Sequence, residues 1–456
     1  MKTFIFEFPE IKERFTIVRY SLNGGKDWNT FKVEVKDKIL KYRVLEKFPP
    51  LSADLIDIAT AVFVADWISY RKLSGRPSDI IIRSPVRMTN LLSGKEAMEE
   101  LKNLLGWFTE DHWHFEFSQR TSMRNVEKQS MFSFEIDGEV EVALWSGGLD
   151  SLAGLYSRYK VNPELKYVLA GSGFSKRVIG VQRDVHKNLK EKTSIKTALW
   201  QVPFYLEDSP SHRKHSYMRS RGFAFMIVGS AIAIALDQRK LHLYENGIGA
   251  INLPYFKFEI GLDHTRSVHP ISLSRTTDYV SSLLEEDFEI INPFVFKTKT
   301  QICRSLIDDN LTDLIFRTQT CDSVHRKEQS QCGYCSSCLL RRQALLANNV
   351  VDKTEYVLTH GKPKSKDIHL HFDAITNQVQ VIQKILSGDK NLNQKWYRLI
   401  NEYPVLEKTA TEMSNKDKIP ESKIRKSLID MYLDYSYEWL SVQKTIRNSY
   451  PEPISV

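Results

Sequence analysis

The chain has 456 residues, of which 42% are hydrophobic, 26% charged and 11% aromatic. This length predicts two or three domains, and this composition excludes a disordered chain, a fibre and a disulfide-held miniprotein. The longest apolar run, 223–236, is shorter than the roughly 20 residues that cross a bilayer, so no membrane span is expected. Because the first residues lack a sustained apolar stretch, we expect a cytoplasmic protein.

The formal net charge of +8 is concentrated in one segment of the chain. Residues 176–221 contain eleven Lys or Arg and four Asp or Glu. Such a segment attracts anions, and charge alone does not choose among nucleotide phosphates, a nucleic acid and an acidic protein. A solvated helix face is at least as good an interpretation for the lysines of 187–196.

The pattern of residues 1–137 predicts an N-terminal α+β accessory domain. Three β-rich runs indicate antiparallel strands, and a turn-forming segment separates the last two: KTFIFEF, RFTIVRY and FKVEVKD. A helix is expected after Ser52, followed in order by a strand, a helix and two closing strands: DIIIRSPV, KEAMEELKNLL, HWHFEF and MFSFEI.

Residues 138–350 alternate short β-rich runs with helical segments, which predicts an α/β fold with a doubly wound parallel sheet. The runs taken as strands are EVEVALW, KYVLAG, TALWQV and KLHLYEN. Residues 351–456 are polar and rich in lysine. Their pattern predicts a C-terminal helical extension, with helices interrupted at Gly388, Pro404 and Pro420.

The most informative stretch is a strand, a glycine turn and a helix within residues 141–156. Two adjacent glycines let backbone N–H groups point inward, and the start of the following helix adds positive charge, so the turn predicts an anion cradle. A carboxylate repels phosphate, so the acid in this turn, Asp150, is expected to act through Mg²⁺. The alternative is a plain strand-to-helix turn with a serine cap. The predicted nucleotide-binding residues are Ser146, Gly147, Gly148, Leu149, Asp150 and Ser151.

This turn resembles the S-G-G-x-D-S loop of the PP-loop ATP pyrophosphatases, which cleave ATP between the α and β phosphates and adenylate their substrate. Arg221, at the start of an apolar helix, and Lys299, after a proline and before a helix, fall where that superfamily has further motifs. The resemblance implies that Asp150, Ser146, Arg221 and Lys299 are catalytic, with the cations neutralising phosphate charge. For each cation, snorkelling at a helix end is an equal alternative.

Four of the five cysteines are close in sequence: Cys321, Cys332, Cys335 and Cys338. Their C-x-x-C spacing, with Gly333 in the turn, lets the thiolates converge on one ion, and four sulfurs complete a tetrahedral structural Zn²⁺ site. An iron–sulfur cluster is the alternative. The remaining Cys303 is interpreted as a small buried hydrophobic residue.

The pattern C-G-x-C-x-x-C-x-x-R after the S-G-G-x-D-S loop resembles the 7-cyano-7-deazaguanine synthase family, QueC, over about residues 139–348. That family converts a 7-carboxy-7-deazaguanine to the nitrile with ATP and ammonia, which implies bound ATP with Mg²⁺ and structural zinc here. Residues 245–252 and 263–270 depart from the family pattern, so the base pocket or the acceptor is expected to differ. The long flanking regions are similar to those of QueC-like proteins in bacterial anti-phage clusters, Qat and type IV CBASS, which implies a partner protein.

The leading hypothesis is therefore a QueC-like ATP-dependent carbon–nitrogen ligase. It would adenylate a 7-deazapurine carboxylic acid and form an amide or nitrile, or join the acyl group to an amine of a partner protein. Two alternatives remain at this stage. One is a non-catalytic ATP-binding assembly subunit, and the other is a PP-loop enzyme that modifies RNA or DNA, which the lack of a recognisable RNA-binding module disfavours.

Overall fold

The computed structural model describes residues 2–10, 15–42, 48–70, 77–123, 125–127, 139–207, 218–256, 266–322, 331–358, 368–388 and 391–450. Within these ranges the strands β1–β10 are, in chain order, Thr3–Glu7, Phe15–Ser21, Asn29–Val35, Asp79–Val86, His112–Gln119, Val140–Leu144, Lys166–Gly173, Thr197–Glu207, Lys240–His242 and Glu289–Ile291. The strand expected over MFSFEI lies outside the described residues.

Helices account for much of the rest of the described chain. The α-helices α1–α15 are, in chain order, Pro50–Ile68, Thr89–Leu92, Lys95–Thr109, Leu149–Val161, Lys176–Lys192, Arg221–Ala235, Gly247–Ile251, Pro270–Leu284, Lys299–Asp308, Thr312–Arg317, Ser336–Ala347, Leu370–Leu386, Leu392–Glu402, Val405–Asp417 and Glu421–Asn448. Two short 3-10 helices span Lys38–Tyr42 and Asn125–Glu127.

The strands form a single sheet in the order β10-β9-β6-β7-β8-β3-β2-β1-β4-β5. The five strands from β10 to β8 are parallel to their neighbours. The chain runs from β6 through β7 to β8 on one side and places β9 and β10 on the other. This confirms the doubly wound α/β prediction, and such a sheet binds ligands in the crevice at its switch point, here at the carboxyl ends of β6 and β9.

The N-terminal strands continue this sheet. β3 pairs antiparallel with β8, with Val33 opposite Leu206, and β2 and β1 follow in the antiparallel arrangement that the sequence predicts. β4 and β5 then add in parallel to β1, because long helical connections precede each of them. Hydrogen bonds across β3 and β8 thus join the accessory region to the parallel part of the sheet, and the division into three domains stays a prediction.

Helix α1 packs on α6, and both are apolar around most of their circumference. Every residue of α1 except Pro50 and Trp67 is buried, so the helix begins two residues before Ser52 and has no solvated face. The buried Asp66 carboxylate accepts hydrogen bonds from Ser220 N at 2.9 Å and Ser220 Oγ at 2.8 Å. This contact fixes α1 to the residue that precedes α6.

The C-terminal helices α12–α15 form a second core together with the cysteine cluster. The long helix α15 packs on α11, α12 and α14, and the interruptions predicted at Gly388, Pro404 and Pro420 fall between helices. Tyr432 and Trp439 of α15 are buried in this core. A search of the described residues finds no helix with the length and apolar character that a membrane crossing requires.

Candidate functional site

The turn between β6 and α4 has the glycine geometry that an anion cradle needs. Gly147 has a φ of 73° in the left-handed region, and a Cβ there would lie 3.1 Å from the backbone nitrogen of Gln182. A Cβ on Gly148 would lie 3.1 Å from Ser146 Oγ. A larger residue at Gly147 would strain the backbone, and one at Gly148 would fill the turn. A loop whose backbone closely approaches a phosphate requires glycine at such positions.

The two serine hydroxyls of the turn hold its shape. Ser146 Oγ accepts a hydrogen bond from Gly148 N at 3.1 Å and lies 3.1 Å from Ser151 Oγ. Ser151 Oγ also contacts the Gly148 carbonyl at 3.0 Å. The 13-residue helix α4 begins directly after Gly148, so its first backbone N–H groups and the positive end of its dipole are directed toward this turn.

Asp150 lies at the centre of the crevice and receives partners from two other elements. Its buried carboxylate accepts a hydrogen bond from Asn246 Nδ2 at 3.0 Å on Oδ1 and pairs with Lys299 Nζ on Oδ2. Asn246 follows β9, and Lys299 is the first residue of α9. The structure therefore brings together Asp150 and Lys299, which the sequence proposed separately.

Glu245 completes this cluster, and the sequence analysis did not identify it as a site residue. Asn246 Nδ2 also donates to Glu245 Oε1 at 2.8 Å, so one amide bridges the two carboxylates. Burial, and then the charge of Asp150, raise the pKa of Glu245 although part of its side chain reaches solvent. Burial alone would lower the pKa of Lys299, but Asp150 and Glu245 outweigh burial and raise it.

This donor set fits a divalent cation. A carboxylate offers about four acceptor positions, and the named contacts of Asp150 occupy two of them. Mg²⁺ is commonly held by one or two carboxylates together with substrate phosphates. Asp150 and Glu245 are therefore the residues that would hold Mg²⁺, next to the cradle that would hold the phosphates. A signal for Glu245 was available, since it lies three residues past β9 at the switch point of the predicted sheet.

Arg221 is placed differently from Lys299. Among the contacts of the described residues, no hydrogen bond joins it to the phosphate loop, and its side chain is exposed at the start of α6. The surrounding protein nevertheless lowers the pKa of Arg221 by desolvation, while Asp322 acts in the opposite direction. The catalytic role of Arg221 stays a prediction.

The four cysteines predicted to bind zinc converge in the structure. Their sulfur atoms all lie within 4.8 Å of one another, and Cys332 Sγ is 3.8 Å from Cys338 Sγ. A tetrahedral ion with Zn–S bonds of about 2.3 Å places its sulfurs about 3.8 Å apart. An iron–sulfur cluster would need wider spacing, because sulfide and several irons lie between its cysteines. All four side chains are buried, so the geometry fits a closed structural Zn²⁺ site.

The segment before Cys321 connects this cysteine cluster to the phosphate loop. Gln319 N donates to the Gly147 carbonyl at 3.3 Å. The fully buried Arg341, from the C-x-x-R pattern, holds the same segment by donating to Thr318 Oγ1 and to the Ile315 carbonyl, each at 2.7 Å. The cysteine cluster therefore anchors a segment that borders the proposed ATP site.

The remaining sequence predictions have simpler outcomes. Cys303 is buried as expected, and burial raises its pKa to about 12. In the segment 263–270, which departs from the family pattern, His269 caps α8 by accepting a hydrogen bond from Ile271 N at 3.2 Å. Residues 257–265 lie outside the described ranges.

Lysines of the basic segment pair with exposed acids: Lys187 with Glu191, Lys192 with Asp313, and Lys196 with Glu164. These pairs favour the solvated-face interpretation over an anion-binding surface.

Residues 140–349 match the family model for queuosine biosynthesis protein QueC. A search of curated proteins finds no match to the chain. The matched segment covers somewhat less than half of the chain and contains the phosphate loop, Arg221, Lys299 and the four cysteines. The chain therefore contains a QueC-like PP-loop domain, and the strands β1–β5 and helices α12–α15 lie outside the matched residues.

Proposed function

We propose that this protein uses ATP to adenylate a carboxylate, releases pyrophosphate, and transfers the acyl group to a nitrogen nucleophile. The contact of Asp150 with Lys299 beside the glycine turn of α4 carries this proposal. The QueC match supports ATP-dependent PP-loop chemistry on a deazaguanine-like substrate. The leading substrate is accordingly 7-carboxy-7-deazaguanine.

The residues of the site suit this reaction. The free N–H groups at the start of α4 would hold the β and γ phosphates, and Lys299 would offset their charge as pyrophosphate leaves. Mg²⁺, held by Asp150 and Glu245, would supply further neutralisation of the phosphate charge. A carboxylate oxygen bonds to the α phosphorus, and the bond from that phosphorus to the bridging oxygen breaks with its electron pair on pyrophosphate. The nucleophile then bonds to the acyl carbon, AMP leaves, and the nitrogen loses a proton to solvent.

The proposed reaction has two candidate acceptors. Ammonia would give the amide, and a second adenylation would give the nitrile. An amine of a partner protein, in an anti-phage setting, is the second possibility. Helices outside the QueC match reach the site, since Met431 of α15 lies against Gly247 of α7, next to Asn246. An added region in this position supports an acceptor that differs from that of the family.

The test is product analysis with ATP labelled on the α phosphate, with and without 7-carboxy-7-deazaguanine and ammonium. We expect AMP and pyrophosphate, together with acid-dependent exchange of labelled pyrophosphate into ATP. ATP binding without exchange would favour the assembly-subunit hypothesis. AMP formation that requires RNA or DNA instead of the free acid would favour nucleic acid modification. ADP as the product would contradict all PP-loop interpretations.

A further inference from the structure

Glu438 of α15 lies outside the QueC-like domain and contacts both residues that flank Lys299. Its Oε1 accepts a hydrogen bond from Thr298 Oγ1 at 2.7 Å, and its Oε2 accepts one from Thr300 Oγ1 at 2.7 Å. One carboxylate from the C-terminal extension thus holds the two hydroxyls on either side of the lysine that pairs with Asp150.

Two further contacts make this a junction of three helices. Gln343 of α11 donates to Glu438 Oε2 at 3.1 Å. One turn earlier on α15, Asp434 accepts from Gln301 Nε2 at 2.8 Å, and Gln301 closes the capping box of α9 with Thr298. Two carboxylates on one face of α15 therefore hold the first turn of α9.

Electrostatics give Glu438 a task that a neutral residue does not fulfil. The N-terminus of a helix carries positive partial charge, so Lys299 at the first position of α9 is placed against the helix dipole. A carboxylate at that same turn offsets this repulsion, and its hydrogen bonds are charge-assisted. Such bonds hold the first turn of α9, and with it the backbone from which the Lys299 side chain extends, more firmly than packing alone.

We propose that Glu438 is a positioning residue that orients Lys299 toward the triphosphate, so that the C-terminal extension completes the QueC-like site. This inference rests on the proposed function for the role of Lys299. It assigns to α15 a part in catalysis that the QueC match, which ends at residue 349, does not contain.

The experiment compares four variants of the full chain with the wild type: Glu438→Gln, Lys299→Met, the double variant, and Asp430→Asn. Asp430 is the matched control, because it is an exposed acid on α15 that accepts a hydrogen bond from Lys426 on the same helix. The measurements are the binding of ATP and of AMP in the presence of Mg²⁺, the rate of AMP formation, the melting temperature and the zinc content.

We expect Glu438→Gln to weaken ATP binding relative to AMP binding and to lower kcat by roughly 10- to 100-fold, since small misplacements of a site residue have effects of this size. In the Lys299→Met background the same change should have little further effect, because Glu438 acts through that lysine. Asp430→Asn should match the wild type.

Equal losses of ATP and AMP binding, or a full additional loss in the Lys299→Met background, would overturn the proposal. If the wild type forms no AMP, the proposed function fails, yet the ratio of ATP to AMP affinity still tests Glu438. Should Glu438→Gln fail to fold, Thr300→Val removes one of the two hydroxyls, and a smaller loss of the same kind is expected. An unchanged affinity ratio in that variant would contradict the proposal.

Discussion

Asp150 has two requirements to meet, because it neutralises the buried Lys299 and is also placed to hold Mg²⁺. Lys299 has a second acid nearby in Glu245, with Asn246 bridging the two carboxylates. Removing the charge of Asp150 therefore leaves the ammonium only partly compensated. Breaking a buried ion pair in this way typically costs about 3–5 kcal/mol, so stability and catalysis should respond together.

The first prediction concerns Asp150→Asn. The substitution keeps the size of the side chain but removes the charge, and we expect AMP formation to fall far more than ATP binding, with a clear decrease in melting temperature. Ser146→Ala removes neutral hydrogen bonds within the turn and should cost less, about 1–3 kcal/mol of transition-state stabilisation. Single-turnover AMP formation and thermal unfolding measure both effects. A normal rate for Asp150→Asn would exclude the proposed metal role.

The local geometry that the sequence predicts well is that of residues adjacent in the chain. Ser146 to Ser151 are contiguous, and their chemistry follows from two glycines before a helix. Glu245 and Glu438 were not predicted, because their significance depends on contacts with Asp150 and Thr298, which are far away in sequence. The position after β9 at the switch point was the available signal for Glu245, whereas no local pattern distinguishes Glu438 from a solvated acid.

Among the elements, α11 begins at the cysteine cluster, and the segment before Cys321 borders the phosphate loop. The second prediction is that the purified protein holds about one Zn²⁺ and that Cys335→Ser loses it. Because metal binding energy is folding energy here, the variant should unfold at lower temperature and also bind ATP more weakly. Elemental analysis and calorimetry test this. Iron in the protein, with visible absorption, would contradict it.

Helix α5 provides a third prediction, on pH dependence. His186 Nε2 lies 3.0 Å from Thr197 Oγ1, and burial, followed by the charge of Lys190, lowers the pKa of His186 from 6.5 to about 4. The unfolded chain therefore binds a proton below pH 6.5, whereas the folded chain does so only near pH 4. The free energy of unfolding should therefore decrease as the pH is lowered from 6.5 to about 4. The decrease should be on the order of 1–3 kcal/mol after allowance for solvent screening.

Chemical denaturation of the wild type and His186→Gln between pH 7 and pH 4 measures this slope. The variant should lose less stability over the interval, since glutamine does not titrate. Lys190→Gln serves as a second probe, because removing its charge should raise the pKa of His186 and reduce the slope in part. Parallel curves for the three proteins would show that His186 does not control acid stability.

The elements themselves were largely predictable, because strand and helix periodicities are local. Less predictable was the environment of α1, because the helix expected after Ser52 is buried on nearly all sides. Its environment depends on α6, which comes much later in the chain. Gly388, Pro404 and Pro420, by contrast, predicted the breaks between α12 and α15, since glycine and proline are unfavourable inside a helix and common at its ends.

For the molecule as a whole, the sheet continues from β8 to β3, so we expect that the QueC-like region does not fold independently of the N-terminal strands. A fragment of residues 139–456 would expose the edge of β8 and the face of α6 that α1 covers. We expect this fragment to aggregate, or to unfold without a sharp transition, because unpaired edges and apolar surface promote association. Size-exclusion chromatography and calorimetry of the fragment test this fourth prediction. A monomer that melts cooperatively at the full-length temperature would contradict it.

The pairing of β3 with β8 also has a consequence during synthesis. Val33 is opposite Leu206, so the ribosome must produce the intervening chain before β3 gains its second neighbour. At about 5–20 residues per second, this delay is on the order of ten seconds. Throughout it, the nascent chain presents an open strand edge and the uncovered α1. Contacts so distant in sequence slow folding, so we expect the accessory region to complete its folding only after β8 has emerged.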